Sequence, residues 1–268
     1  MYNRLRTHIN FTRPVWVRGK RFNIPVWGGI EVPGVRSTRK TEVIARYARP
    51  WGAFVDIGIN LGQTLIDAEL THPDIEYIGF EPNPVCVAYV RQLVAANRFQ
   101  HCTVIPSGLS DTSGLVRLHS APNQPADHAS TIIPALRAHQ TATQFVSALV
   151  FDEISLVLCT SSIGFVKIDV EGAELNVLKG MKDALARDLP PILCEVLPQA
   201  GGRDPAEMDA RRSELLTLIH SLGYLVYHVE DDKKDKITLR KTSQFNAGPF
   251  NRRYSWDYLF LASGESPG

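Results

Sequence analysis

The sequence predicts an α/β fold: a doubly wound, mostly parallel sheet with a β-hairpin extension at its N-terminus. Three observations carry this. From residue 53 onward, short apolar runs alternate with amphipathic helical stretches in β–α order. The turn after the first run carries glycines at Gly58 and Gly62. Residues 15–27 alternate apolar and polar around Arg18-Gly19-Lys20, the pattern of a β-hairpin.

The elements follow in order. A short helix over about 41–48 leads to Pro50. AFVDI (53–57) is the first core strand, followed by a glycine-bearing turn and a helix over about 62–70. EYIGF (76–80) is the second strand; Asn83 and Pro84 then supply an N-cap and a first helical residue. Cys86, Val90, Leu93 and Val94 fall on one face of that helix. CTVI (102–105), GFVKI (164–168) and PILCEV (191–196) are the third, fourth and fifth strands. Leu175, Leu178, Met181 and Leu185 stripe one helix after the fourth strand. Asp204-Pro205 opens another, which Gly223 closes. YLVYHV (224–229) and DYLFLA (257–262) close the sheet around the charged turn EDDKKDK. The stretch 108–160 breaks the rhythm, and its polar part, about 119–145, reads as a substrate lid. The domain plan is a basic N-terminal extension over 1–49, a ligand-binding body over 50–262 and a flexible tail over 263–268.

An apolar fraction of 44% in 268 residues gives a single domain enough material for a sizeable core. The net charge of +1 hides a strong asymmetry. Residues 1–49 hold eleven Arg/Lys against two acids and are therefore +9, which leaves −8 on the remainder. Such a segment is either a surface for other partners or a basic arm packed on an acidic body. We assign it to docking or to a homo-oligomer contact rather than to the ligand site, since every motif below starts after Val55. Four dispersed cysteines (Cys86, Cys102, Cys159, Cys194) form no C-x-x-C pair, which argues against a metal cage or disulfide framework and for a reducing compartment. No apolar stretch approaches the length of a membrane span, and the first residues lack a signal-peptide core, so cytoplasm is the expectation. Aromatics are not interleaved among the arginines and no N-P-P-[YF]-like tetrapeptide follows the fourth strand, so no nucleic-acid partner is expected.

Ligands of doubly wound sheets bind outside the carboxyl ends of the strands. Three features fall there. Asp56-Ile-Gly58-Ile-Asn60-Leu-Gly62 closes the first strand. Glu81 closes the second, where a carboxylate can accept from both hydroxyls of a ribose. The spacing D-x-G-x-x-x-G differs from the G-x-G-x-x-G that seats a pyrophosphate. Asp56 would repel a pyrophosphate but could serve the ammonium of a methionine moiety, so S-adenosylmethionine fits better than a nicotinamide cofactor. The third feature is Lys167-Ile-Asp169-Val-Glu171-Gly172-Ala-Glu174 at the end of the fourth strand. Glu171 and Glu174 are explained by a helix N-terminus, whereas Asp169 sits on the strand end itself. Glu195, inside an apolar run, must pair with Lys167 or another base, or else serve the site.

VDIGINLGQT, GFEPNP, PSGLSD, FDEI, FVKIDVEGAELNVLKGM and ILCEV, in this order, resemble the FkbM family of S-adenosylmethionine-dependent methyltransferases. The resemblance covers about residues 40–262, and KIDVEGAE is its most distinctive part. It implies a class I, Rossmann-like methyltransferase fold, with O-methylation of a sugar, glycan or natural-product acceptor as the expected reaction. It also implies that Asp56, Gly58, Asn60 and Gly62 cradle the methionine part, that Glu81 holds the ribose, and that Ser107 and Asp111 lie near the adenine. Ile59 stands where the family often carries Ala.

Methyl transfer from a sulfonium is an in-line displacement, and a hydroxyl acceptor must also lose a proton. Asp169 and a lid histidine, His128 or His119, are the candidate bases, with Glu195 the further candidate catalytic group. Asp169 and Glu195 could form half of an Mg²⁺ site, which is not favoured because no complete oxygen-ligand set can be counted. A NAD-type oxidoreductase and a non-catalytic binding protein are the competing classes.

Overall fold

The structure is a computed structural model that describes residues 10–28, 30–36, 38–122, 124, 126–127, 130–133, 142–158, 162–198, 204–231, 237–246, 255–265 and 267. The N-terminal hairpin pairs β1 (Phe11–Val17) with β2 (Lys20–Val26). Its turn residues Arg18 and Gly19 both have positive φ, 46° and 81°, as a two-residue loop matched to strand twist requires. Helix α1 (Arg39–Tyr47) begins at Thr38, whose hydroxyl caps the Thr41 amide while Thr41 answers on the Thr38 amide.

Eight strands then form one sheet in the order β12-β11-β13-β10-β9-β3-β4-β5. Strands β3 (Ala53–Ile57), β4 (Tyr77–Phe80), β5 (Cys102–Ile105), β9 (Ile163–Ile168) and β10 (Ile192–Glu195) run parallel to one another. Strand β13 (Asp257–Ala262) is antiparallel to both β10 and β11 (Tyr224–Asp231), and β12 (Ile237–Lys241) is antiparallel to β11. Every residue of β3 and β9 is buried, as central strands of a sheet covered on both faces must be. Successive side chains part to opposite faces. Phe54, Phe165 and Leu193 pack with the hairpin, α1, α2 (Gln63–Thr71) and α3 (Pro84–Asn97). Val55, Val166 and Ile192 pack with α5 (Glu174–Gly180), α6 (Lys182–Asp188) and α7 (Pro205–Ser221). This is the predicted doubly wound α/β architecture. A separate three-stranded sheet, β6 (Gly108–Leu109), β8 (Ala142–Leu149) and β7 (Gly114–Ser120), stands beside it, followed by the short α4 (Phe151–Ile154).

Three sequence readings change. The stripe Leu175, Leu178, Met181, Leu185 belongs to two helices, α5 and α6, with Met181 between them. The chain bends there because the Cα of Gly180 lies against the Ser110 carbonyl, where a Cβ would collide. Strands β8 and β12 carry too little apolar alternation to have been read as strands. The basic extension is bolted into the body: the Asn23 amide donates to Asn97 Oδ1 at 2.7 Å, and the Asn97 amide donates back to the Asn23 carbonyl at 2.8 Å. The hydroxyl of Tyr89 donates to the Pro25 carbonyl at 2.7 Å and accepts from the Val32 amide at 2.9 Å. The final residues are tied as well, since Arg49 pairs with Glu265 and the Tyr47 hydroxyl donates to the Pro267 carbonyl at 2.6 Å. Among the described residues, no helix is long and apolar enough to cross a membrane.

Candidate active site

The carboxyl ends of β3, β4, β9 and β10 open into one cavity of about 1120 Å³. This exceeds the roughly 300–1,000 Å³ usual for one drug-sized ligand, so two reactants fit side by side. Its floor is the loop after β3. Gly58 and Asn60 both have positive φ, 87° and 53°. A Cβ at Gly58 would collide with the Asp169 carbonyl, so glycine lets the first and fourth strands end in contact. The loop is held from below by Lys167, which donates to the Gly58 carbonyl at 2.7 Å and pairs with Asp56 at 3.1 Å.

Glu81 closes one side. Its Oε2 accepts the Asn60 amide and its Oε1 the Asn83 amide, each at 2.8 Å. Burial pushes its carboxyl up to about 7, against the lowering by those two donors. A carboxylate on a cavity wall, short of solvent, is poised to gain from further hydroxyl donors.

At the opposite side three neighbouring strand ends each present an acid: Asp169 after β9, Glu195 on β10 and Asp257 on β13. The Lys40 ammonium sits among them, 3.3 Å from Asp169 Oδ2, 3.3 Å from Glu195 Oε2 and 3.4 Å from Asp257 Oδ1. Arg39 covers the other oxygen of Asp257 at 2.9 Å. Burial alone would raise Asp169, yet Lys40 and Lys167 hold it well below the ordinary carboxylate range. Glu195 moves the other way, raised to about 8 by the charge of Asp169 and then by burial. Burial works to lower Lys40, and Asp257, Asp169 and Glu195 outweigh it, so the ammonium stays charged.

The remaining wall comes from two places, the basic extension, which the sequence reading had kept apart from the ligand site, and the 119–145 stretch, which it had read as a substrate lid. Arg18, Val32, Val35, Arg36 and Lys40 of the basic extension line the cavity, as do Asp127, Ser130, Thr131 and Ile132 of the 119–145 stretch. Asp67 on α2 also faces in; it accepts from the Thr41 hydroxyl at 2.6 Å and burial lifts it to about 6.

Of the residues singled out from sequence, Gly58, Asn60, Glu81, Asp169 and Glu195 line this cavity together. Asp56 does not reach it: it is fully buried under the loop, held by Lys167 and the Tyr77 hydroxyl. Lys167 pairs with Asp56 and, at 3.8 Å, with Asp169, and the partner of Glu195 is Lys40. Gly62 is the N-cap of α2 and packs on Leu93. The Ser107 hydroxyl donates to the Gly108 and Ser147 carbonyls, both at 3.0 Å, and Asp111 accepts from Asn176 at 3.0 Å. Both lie outside the lining, as does His119, whose backbone pairs with Thr131. His128 is outside the described residues. Lys40 and Asp257 were missed; the only signal in the sequence was an acid opening an apolar strand and a lysine in a basic run.

A Rossmann-like sheet with a glycine loop on the first strand and a buried acid on the second defines an enzyme class built around an adenosine-type ligand. The profile of the methyltransferase FkbM domain matches residues 56–226, more than half of the sequence, and the chain belongs to that family. It is 24% identical over 214 residues to the 31-O-demethyl-FK506 methyltransferase FkbM of Streptomyces tacrolimicus, covering 68% of this chain and 76% of that one. It is 27% identical over 157 residues to methyltransferase sdnD of Sordaria araneosa, covering 48% of this chain and 60% of that relative's length. Among solved structures it is similar to methyltransferase FkbM of Methylobacillus flagellatus, with a TM-score of 0.46, 16% identity, and coverage of 82% of this chain and 50% of that one. It is similar also to fibrillarin of Aeropyrum pernix with natively bound S-adenosyl-L-methionine, at a TM-score of 0.45 and 13% identity, covering 94% and 82%.

Proposed function

We propose that the chain is an S-adenosylmethionine-dependent O-methyltransferase acting on a hydroxyl of a sugar, glycan or natural-product acceptor. The observation that carries this reading is the Asp169–Glu195 pair, in the same cavity as the glycine loop and Glu81. The relative from Streptomyces tacrolimicus is named for 31-O-demethyl-FK506, an oxygen acceptor, which supports a hydroxyl over a carbon or nitrogen nucleophile.

The residues present suit the cofactor. Each Glu81 oxygen spends one lone pair on a backbone amide and keeps another for a ribose hydroxyl. The Gly58–Asn60 backbone would hold the methionine part, with Asp56 bracing the loop from beneath through Lys167, which itself reaches the cavity lining. The charge also balances. Four carboxylates (Asp56, Asp169, Glu195, Asp257) face three cations (Lys40, Lys167, Arg39), an excess of one negative charge when all are ionised. A sulfonium neutralises that excess, and a proton on Glu195 does so in its absence.

S-adenosylmethionine supplies, when bound, a methyl group activated on that sulfonium. The Asp169–Glu195 pair would take the acceptor's hydroxyl proton, leaving the oxygen free to receive the methyl group that the bound cofactor would supply. Raised by its neighbour, ionised Glu195 is a stronger base than an ordinary carboxylate, which suits proton removal near neutral pH. Asp169, held ionised, orients the hydroxyl. Calorimetry with S-adenosylhomocysteine and with NADH tests the assignment: binding of the first alone supports it, binding of NADH alone makes the chain an oxidoreductase, and binding of neither removes the enzyme reading.

A further inference from the structure

We propose that Lys40 is a positioning residue standing in the place of a divalent cation: its ammonium gathers Asp169, Glu195 and Asp257 into one cage and keeps metal out. The inference rests on the reading of this cavity as a methyl-transfer site, which gives the cage its purpose. Its evidence is separate and lies in how the carboxylates and the lysine are brought together.

The three acids come from three adjacent strands, β9, β10 and β13, and Glu195 and Asp257 are direct cross-strand partners. Like charges in that arrangement repel. An oxygen-rich cage of this kind is what a hard divalent cation takes, yet its centre is filled by Lys40 Nζ, within 3.3–3.4 Å of one oxygen from each acid. Asp257 is almost fully buried, and its Oδ1 has no hydrogen-bond partner among the described residues. That oxygen faces the ammonium at 3.4 Å, its one partner of opposite charge among the described residues.

Local helix energetics point the same way. Lys40 is the second residue of α1, whose N-terminus carries the positive end of the helix dipole. A cation there is disfavoured, so nothing in helix formation asks for lysine. A residue that breaks a local rule at a site wall marks function. The choice of a monocation has a chemical consequence. An ammonium cannot ligate and acidify the acceptor oxygen as a dication would, so proton removal falls to the carboxylates it organises. Among the described residues, no group of three or more His, Cys, Asp or Glu is arranged to hold a metal ion.

The test is a titration of the full chain with MnCl₂, reading free Mn²⁺ by electron paramagnetic resonance. The wild-type chain should take up no stoichiometric Mn²⁺ at millimolar concentration. Lys40→Ala should gain one equivalent, at least tenfold tighter than any uptake by the wild type, and adding Asp257→Asn should abolish the gain. Lys40→Gln, which fills more of the space, is the second variant if Lys40→Ala does not fold, and should gain the site more weakly. Stoichiometric Mn²⁺ binding by the wild type that Asp169→Asn abolishes would overturn the proposal, as would a folded variant lacking Lys40 that gains no Mn²⁺. Parallel calorimetry with S-adenosylhomocysteine keeps the two readings apart: its failure to bind removes the methyl-transfer reading, while the Mn²⁺ result still decides the cage.

Discussion

Glu81 makes the position of the ribose measurable through protons. Burial raises its carboxyl to about 7 in the free chain, so near neutrality it is ionised in only part of the molecules. Ribose hydroxyls donate, and only the ionised form accepts on all of its lone pairs. Ligand affinity should therefore climb as pH rises through 7 and level off above it. From pH 8 to pH 5 the ionised fraction falls by about two log units for a group titrating near 7, so the S-adenosylhomocysteine association constant should drop by about a hundredfold. Glu81→Gln removes the titration. Its charge-assisted hydrogen bonds, worth about 1.5–3 kcal/mol, go with it, so affinity at pH 8 should fall by roughly ten- to a hundredfold and stay flat with pH. One of the Asn60 and Asn83 amides would also meet an NH₂ instead of an oxygen, which adds to the loss. Isothermal titration in buffers of different ionisation enthalpy reads both the affinity and the protons released. A pH-independent wild-type affinity, or the same slope in a folded Glu81→Gln chain, refutes the reasoning.

Asp169→Asn should leave S-adenosylhomocysteine affinity within a few-fold but lower turnover on a true or surrogate alcohol acceptor by about 10²–10⁴-fold. Turnover close to wild type would move the catalytic role elsewhere. Lys167→Met should cost about 3–5 kcal/mol in denaturant unfolding, because fully buried Asp56 keeps its charge without a cation, and adding Asp56→Asn should recover much of it. A loss below about 1 kcal/mol, no more than an exposed ion pair contributes, would contradict this. The folded state holds extra protons on Asp67, Glu81 and Glu174, lifted by burial to about 6, 7 and 7, so apo stability should fall as pH rises through that range. The low-lying Asp169, Asp257 and Asp188 lose their contribution only at lower pH, which puts the apo melting maximum on the acid side of neutrality; a maximum above pH 7 contradicts this. Deleting residues 1–35 removes buried Phe22, Ile24 and Val32. At about 1.5–3 kcal/mol each, that loss is comparable to the 5–15 kcal/mol stability of a whole domain, so the truncated chain should fail to fold, as circular dichroism would show.

The parallel core was legible because its strands are continuous apolar runs bounded by turn residues, and a run such as AFVDI is read the same way in any context. Glu81 and Asp169 were legible for the opposite reason: acids at the ends of such runs have no packing role. Asp56 misled the same logic. It too ends an apolar run, but one residue too early, so the sheet buries it and Lys167, its direct partner on the adjacent strand β9, pairs with it. Sequence spacing gives the strand on which an acid lies, not the face to which it points when the strand bends into a loop. Strand β8 was hidden because its outward side chains are exposed: the phenyl of Phe145 and the polar residues around it break the alternation.

The charge asymmetry shows what could not be read from either half alone. Counted along the chain, the first 49 residues look like a surface awaiting an anionic partner. In space the partner is the body of the same chain. Lys20 pairs with Glu69, Arg39 with Asp257, Arg49 with Glu265, and Lys40 with both Asp169 and Glu195. The last two are carboxylates that line the cavity, and exposed pairs elsewhere contribute little by comparison. The extension therefore does two things through one set of contacts. Its apolar residues complete the face of the sheet that α2 and α3 leave open, and its cations settle the ionisation of the acids on the strand ends. A site assembled this way is finished only when the first-made part of the chain has packed against the last strand, β13, whose Asp257 it holds. Loss of that packing would leave the FkbM motifs intact in sequence while scattering the charges on which their chemistry depends.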